Sequence, residues 1–123
     1  MRALVIDDSR AVRLMLSRYL ASLGYEVAQA ANGQEALDSL AANADLPDVA
    51  LIDWNMPVMN GLEFISACRA KREYRSISLM MVTTESEQAQ VVRALAAGAH
   101  EYLIKPFDNS ALSSKLALLG LPA

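Results

Sequence analysis

Short runs of consecutive apolar residues alternate along the chain with longer segments in which apolar residues recur every three or four positions. The runs at residues 3–6, 49–52 and 77–82 are almost wholly apolar, which is typical of strands that helices cover on both faces. Residues 26–30 and 102–104 form two shorter runs. The pattern therefore predicts five strands separated by helical segments.

A helical segment follows each predicted strand. The first has one apolar face between an N-cap at Ser9 and a stop at Gly24. Its apolar positions are Val12, Met15, Leu16, Tyr19, Leu20 and Leu23. The remaining helices are predicted from a cap at Asn32 to a point before Pro47, and then at residues 62–72, 88–97 and 109–119.

Five strand-then-helix units in succession are typical of an open parallel sheet with helices on both faces. No linker, internal repeat or low-complexity segment interrupts the units. The prediction is a single α/β domain of the doubly wound class over residues 1–123, a length that suits one hydrophobic core.

Composition and charge exclude several classes of protein. Hydrophobic residues make up 54% of the chain and charged residues 20%, which excludes disordered and low-complexity proteins. No apolar run approaches the ~18–20 residues of a membrane span and no signal peptide is present, so we expect a cytoplasmic protein without membrane contact. A net charge of −3 gives no basic surface for nucleic acid. One cysteine and one histidine are too few for zinc, so any metal would be hard and oxygen-bound.

Polar residues follow four of the five predicted strands at the point where each strand ends. Asp7 and Asp8 follow the first strand, Asp53 the third, Thr83 the fourth and Lys105 the fifth. Ligands bind outside the carboxyl ends of the strands in an open parallel sheet, so we expect these side chains to converge. Crowded carboxylates repel one another unless a cation neutralises them, and Mg²⁺ prefers oxygen ligands. The sequence therefore predicts a magnesium site at this edge.

Phosphoryl transfer is the chemistry that this set of residues suits. The Lys105 ammonium and the Thr83 hydroxyl can each contact a phosphoryl oxygen, and an aspartate can accept the group as an acyl phosphate. Taken singly, each of these residues is more often an ordinary turn, cap or surface residue. Their coincidence at the same end of separate strands is what favours a functional site.

Four motifs occur in order along the chain: Val-Ile-Asp-Asp-Ser at residues 5–9, Asp-Trp-Asn-Met-Pro at 53–57 with Gly61, Val-Thr-Thr at 82–84, and Tyr-Leu-Ile-Lys-Pro-Phe at 102–107. With these motifs the chain resembles the receiver domain family of response regulators, and within it the stand-alone chemotaxis type (CheY-like). The resemblance covers essentially the whole length, and four motifs at this spacing are highly specific. It implies a flavodoxin-like sheet with strand order 2-1-3-4-5 and five helices.

The resemblance also implies which acidic residue accepts the phosphoryl group and which residues bind Mg²⁺. Asp53 would be the phosphoacceptor. Mg²⁺ would be held by the side chains of Asp8 and Asp53 and by the backbone carbonyl of Asn55, with Asp7 acting mainly through water.

Three further residues acquire roles from the same resemblance. Thr83 and Lys105 would contact the phosphoryl oxygens. The peptide bond between Lys105 and Pro106 would be cis, a conformation that proline permits at modest cost. Tyr102 would be an aromatic switch that moves inward as Thr83 shifts towards the phosphate. The output surface would be the last two helices and the strand between them.

The implied partners are those of a signalling switch that catalyses only its own phosphorylation and dephosphorylation. They are a histidine kinase as phosphodonor, a downstream protein target such as the flagellar motor or another output protein, and a phosphatase. Asn55 and Glu85 occupy the two variable positions that tune phosphoaspartate hydrolysis in the family.

Two other interpretations stay open. A Mg²⁺-dependent aspartyl-phosphate phosphatase would use similar residues. However, its haloacid-dehalogenase-like members carry a second aspartate two residues after the nucleophile, where this chain has Asn55. Such an enzyme also needs a substrate cap, for which 123 residues leave little room. A receiver excised from a longer regulator with a DNA-binding or enzymatic output domain would have the same sequence features.

Some apolar and basic residues outside these motifs have two interpretations each. The basic stretch at residues 69–75 is either a solvated helix end or a site for an anionic ligand. Leu118 and Leu121 lie off the apolar stripe of the last helix, so they form either a partner surface or the frayed chain end. Cys68 is expected in the core, whereas Met56 and Met59 are expected on an exposed loop.

Overall fold

The computed structural model describes residues 1–84 and 88–123. Its five parallel strands form one sheet in the order β2-β1-β3-β4-β5, as the resemblance implied. The strands are β1 (Arg2–Ile6), β2 (Glu26–Ala30), β3 (Val49–Asp53), β4 (Ser78–Thr84) and β5 (Glu101–Lys105). The predicted fold class is confirmed.

Five helices connect and cover the strands: α1 (Arg10–Ser22), α2 (Gly33–Ala42), α3 (Gly61–Ala70), α4 (Gln88–Ala97) and α5 (Asn109–Leu118). The predicted extension of the third helix to Arg72 is wrong, because α3 ends at Ala70 and a separate 3₁₀ turn occupies Arg72–Tyr74. Strand β4 runs further than predicted and includes Thr83 and Thr84. None of the helices in the described ranges is both long and apolar enough to cross a membrane.

The core has two halves, one on each face of the sheet. Helices α2, α3 and α4 cover one face with residues such as Leu40, Phe64 and Ala94, while α1 and α5 cover the other with Leu20 and Leu112. Alternate residues of β1, β3 and β4 belong to opposite halves, which explains why these strands are apolar at consecutive positions.

Several apolar residues lie differently from expectation. Met15, assigned to the buried face of α1, is 50% exposed, because that helix buries only its Leu16 and Leu20 fully. Met56 and Met59 are partly buried against the core instead of being loop-exposed. Cys68 is buried as predicted. Leu121 packs partly against the core, whereas Leu118 is 71% exposed.

Side-chain caps explain where several helices begin. Ser9 accepts a hydrogen bond from the backbone N–H of Val12, so the predicted cap of α1 is present. Asn32 accepts from the N–H of Glu35 and caps α2 in the same way. Before α3, the side chains of Asn60 and Glu63 each accept from the other's backbone N–H, which forms a capping box.

The basic stretch contains one residue that is neither a solvated helix end nor open to an anion. The Arg69 guanidinium donates to four backbone carbonyls in the segments that lead into β4 and β5, those of Tyr74, Arg75, Ile77 and Gly98. His100 Nδ1 lies 3.2 Å from Arg69 Nη2 and also accepts from the N–H of Leu79. Burial and the guanidinium lower the pKa of His100, which keeps the ring neutral and Nδ1 an acceptor. Arg69 therefore joins the end of α3 to two strands.

We expect Arg69→Ala to lower the free energy of unfolding by about 3 kcal/mol, because several carbonyls lose a charged donor at once. Arg72→Ala removes an exposed charge of the same basic stretch and should change that free energy by less than about 0.5 kcal/mol. Urea denaturation of both variants measures the difference. Equal effects in the two variants would show that Arg69 acts only as a surface charge.

Candidate functional site

The carboxyl edge of the sheet gathers the acidic residues that the sequence placed there. Asp7 directly follows β1, and Asp53 is the last residue of β3. Asp7, Asp8 and Asp53 each offer a carboxylate oxygen, and these oxygens all lie within 4.8 Å of one another. Asp7 and Asp53 are only 2% and 9% exposed, whereas Asp8 is exposed to solvent. The cluster is therefore open on the Asp8 side.

Lys105, the last residue of β5, supplies positive charge to this cluster. Its Nζ lies 3.2 Å from Asp7 Oδ2 and 3.2 Å from Asp53 Oδ1. Burial lowers the pKa of Lys105, but the Asp53 and Asp7 carboxylates raise it by more, so the net shift is upward. The ammonium is thus kept charged between two buried carboxylates. The bond that joins it to Pro106 is cis, as the resemblance implied.

Asp7 is held on several sides. Its N–H donates to the carbonyl of Ala30 at 3.1 Å, and its Oδ1 accepts from the N–H of Ser9 at 2.8 Å. Its Oδ2 faces Lys105. The carboxylate therefore has a fixed orientation and keeps little freedom to turn towards a ligand.

The surroundings of Asp53 disfavour its ionised form. Burial and repulsion by Asp7 raise its pKa to about 6, although Lys105 acts in the opposite direction. One of its oxygens, Oδ1, is engaged by Lys105. A carboxylate whose charged form is disfavoured by its surroundings gains from binding a cation, and its raised pKa makes the ionised form a stronger nucleophile.

The donor set fits a small hard cation. Three carboxylate oxygens within 4.8 Å of one another suit Mg²⁺ or a similar ion, which takes oxygen ligands and retains several waters. The exposed position of Asp8 leaves room for those waters. The described residues that gather there include neither histidine nor cysteine, which argues against a soft metal.

The strand register places the other predicted residues around this cluster. Asp53 pairs with Val82, so Thr83 is the next residue along β4 towards the carboxyl edge. Thr83 is buried and pairs with Ile104, whereas Thr84 pairs with Lys105 and is only half-buried. Both threonines have an interaction partner in the structure.

Three predicted residues remain, of which two lie in the described part of the chain and one lies outside it. Asn55 is exposed, two residues beyond Asp53, and has an interaction partner of its own. Tyr102 is half-buried in β5, where Lys115 Nζ lies 4.2 Å from the centre of its ring and 2.9 Å from Glu101 Oε1. Glu85 lies outside the described residues.

Gly61 controls how closely α3 approaches the site, a role that its place in a loop motif did not reveal. Its N–H donates to the carbonyl of Trp54 at 3.0 Å. A Cβ at this position would lie 2.5 Å from the backbone oxygen of Asp53, a contact that no side chain can make. The first residue of α3 must therefore be glycine for the helix to start against the end of β3.

Comparison with known proteins agrees with the fold. The profile of the response regulator receiver domain matches residues 3–117, and the chain belongs to this family. It is similar to the chemotaxis protein CheY1 of Helicobacter pylori, with 43% identity over 97% of this chain and 96% of the relative. A chemotaxis protein CheY homolog of Campylobacter jejuni is 44% identical over 94% of this chain and 89% of the relative.

A solved structure gives the same picture in three dimensions. The chemotaxis response regulator CheY4 of Vibrio cholerae superposes with a TM-score of 0.87 at 38% identity, covering 96% of this chain and 97% of that one. Receiver domains are signalling modules of two-component systems, and the relatives named here are of the CheY type. The resemblance inferred from the four motifs is confirmed.

We expect Asp53→Asn to raise the free energy of unfolding of the metal-free protein at about pH 8 by about 2 kcal/mol. The pKa of Asp53 is about 6 when folded and ordinarily 3.8, so the folded state binds this proton more tightly. Stability from this group is therefore fully present below about pH 4 and is lost as the pH rises through 6.

The measurement is urea denaturation with a chelator at several pH values. The difference in free energy of unfolding between Asp53→Asn and the wild type should shrink as the pH falls from about 7 to 4. Asp38→Asn removes an exposed carboxyl from α2 and is the matched control for the loss of one surface charge. A difference for Asp53→Asn that does not change with pH would contradict the assigned cause.

Proposed function

We propose that this protein is a phosphorylation-activated switch that accepts a phosphoryl group on Asp53 from the phosphohistidine of a histidine kinase. The observation that carries the proposal is the environment of Asp53, a buried carboxylate with a raised pKa, 3.2 Å from an ammonium and beside two further carboxylates. Such a group is more basic than an ordinary aspartate, and its ionised form is therefore a better nucleophile towards phosphorus.

Each neighbour has a role in this step. An Asp53 carboxylate oxygen attacks the phosphorus, the bond from phosphorus to the histidine nitrogen breaks, and the electron pair stays with the imidazole, which takes up a proton. Lys105 lies close enough to Asp53 to contact the incoming phosphoryl oxygens. Thr83, one register step beyond the residue that pairs with Asp53, supplies a hydroxyl to another oxygen.

Mg²⁺ is the cation that we assign to the acidic cluster, where it would neutralise charge on the transferring group. The side chains of Asp8 and Asp53 and the backbone carbonyl of Asn55 would hold it. Asp7 would act through water, which agrees with the way Ser9 and Lys105 already occupy its oxygens.

Phosphorylation would reach the output surface through Thr83 and Tyr102. Met81 pairs with Tyr102 and Thr83 pairs with Ile104, so Thr83 and Tyr102 lie on the same face of neighbouring strands, whereas Thr84 lies on the other. A hydroxyl drawn towards the phosphoryl group would leave space into which the half-buried ring can move. Because it shares a face with Tyr102, Thr83 rather than Thr84 is the switch hydroxyl.

The partners follow from this mechanism and from the relatives. A histidine kinase supplies the phosphoryl group, and a downstream protein binds the surface formed by α4, β5 and α5. Because the relatives are chemotaxis proteins, we propose a chemotaxis-type target such as the flagellar motor, and a phosphatase that ends the signal.

We expect one phosphoryl group per chain when Mg²⁺ and a small acyl phosphate such as acetyl phosphate are added, and none in Asp53→Asn. Trp54, buried next to Asp53, should change its fluorescence on addition of Mg²⁺ and again on addition of the donor. Intact mass and fluorescence are recorded on the same samples. A phosphorylated Asp53→Asn variant, or an unmodified wild-type protein, would contradict the assigned acceptor.

We expect Thr83→Ala and Tyr102→Ala to remain phosphorylated on Asp53 but to lose the response of the output surface. Amide hydrogen exchange over residues 88–118, compared with and without phosphorylation, measures that response. In the wild type the exchange pattern should change on phosphorylation, because the ring and the adjoining helices rearrange. An undiminished change in both variants would refute the switch assignment.

A further inference from the structure

Arg13, on the second turn of α1, makes contacts that its place on an amphipathic helix did not suggest. Its Nη1 donates to the backbone carbonyl of Asp7 at 2.7 Å. Its Nε donates to the side-chain oxygen of Gln29, an exposed residue of β2, at 3.3 Å. The guanidinium thus bridges the turn after β1 and the neighbouring strand.

The carbonyl that Arg13 contacts belongs to the peptide group that joins Asp7 to Asp8. Strand β1 ends at Ile6, which pairs with Ala30, so this peptide group lies beyond the sheet ladder. The N–H and both carboxylate oxygens of Asp7 are already held, as described above. The bond from Arg13 restrains the next peptide plane as well, and the orientation of that plane sets the direction in which Asp8 leaves the turn.

We propose that Arg13 is a positioning residue for the cation site, and that it acts by holding the Asp7–Asp8 peptide so that the Asp8 carboxylate stays within reach of Asp7 and Asp53. The inference rests on the proposed function, which makes Asp8 a ligand of Mg²⁺. Asp8 is the exposed member of the cluster and so gains most from a fixed backbone. Gln29 in turn limits the positions that the guanidinium can occupy.

Electrostatics alone predicts the opposite effect of removing Arg13. A guanidinium near the cluster repels a metal ion, so its loss would tighten cation binding if charge were its only contribution. Loss of a positioning contact weakens cation binding. The Asp8 carboxylate must then be ordered when the cation binds, which costs binding free energy. The sign of the change in affinity therefore separates the two roles.

The test is calorimetric titration of the full chain with Mg²⁺, together with thermal unfolding in chelator to establish that each variant is folded. Arg13→Ala should raise the Mg²⁺ dissociation constant about tenfold, and Gln29→Ala about twofold. Arg13→Lys, which can still reach the carbonyl but not both partners, should fall between wild type and Arg13→Ala. Arg10→Ala removes a positive charge from the first residue of the same helix and should leave the constant unchanged or lower it.

An Arg13→Ala constant that is unchanged, or lowered as in Arg10→Ala, overturns the proposal. If Arg13→Ala fails to fold, Gln29→Ala and Arg13→Lys decide the matter, and wild-type constants in both overturn it. Intact mass after treatment with acetyl phosphate tests separately whether the protein is phosphorylated. A wild-type protein that binds Mg²⁺ but takes up no phosphate refutes phosphorylation and leaves the cation-site inference to the binding constants. A wild-type protein that does not bind Mg²⁺ refutes both.

Discussion

Repulsion among three carboxylates at one edge of a parallel sheet is the constraint on which the rest of this structure depends. Asp7, Asp8 and Asp53 are brought within 4.8 Å of one another, two of them buried, and a single ammonium stands between the buried pair. The local charge is only partly balanced. The site therefore favours a ligand that brings positive charge, and a bound cation would also offset the further negative charge that a phosphoryl group brings.

The remainder of the fold sustains this unfavourable arrangement. Strands β1, β3 and β4 lie in the middle of the sheet and are covered on both faces, so the segments that carry Asp7, Asp53 and Thr83 are anchored by apolar packing. Residues outside the acidic edge reinforce this anchoring, among them Arg69, which joins α3 to the approaches of β4 and β5. Stability from the core and its links offsets the repulsion among the carboxylates.

How far the sequence could predict the structure depended on the kind of interaction involved. The strands were predictable because two-sided burial produces continuous apolar runs, and the gathering of Asp7, Asp53 and Lys105 followed from topology, because parallel strands end at the same edge. The contacts of Arg13 and Arg69 were not predictable. Both donate to backbone carbonyls, and a carbonyl is present at every residue, so no pattern of side chains records the partner.

The end of helix α3 and the exposure of Met15 were missed for a related reason. Residues 71 and 72 continue a plausible helical sequence, but the 3₁₀ turn at Arg72–Tyr74 places the carbonyls of Tyr74, Arg75 and Ile77 around Arg69. Met15 has the spacing of a buried residue, yet how widely a helix is covered is decided by its neighbours. Both outcomes belong to tertiary packing, which periodicity does not encode.

The contact of Gly61 with the end of β3 has a mechanical consequence. Because the first residue of α3 rests against the backbone of Asp53 with no space for a methyl group, the start of the helix and the end of the strand are in direct backbone contact. A displacement that begins at Asp53 meets resistance on that side. The backbone of Asp53 therefore has less room to shift towards α3 than away from it.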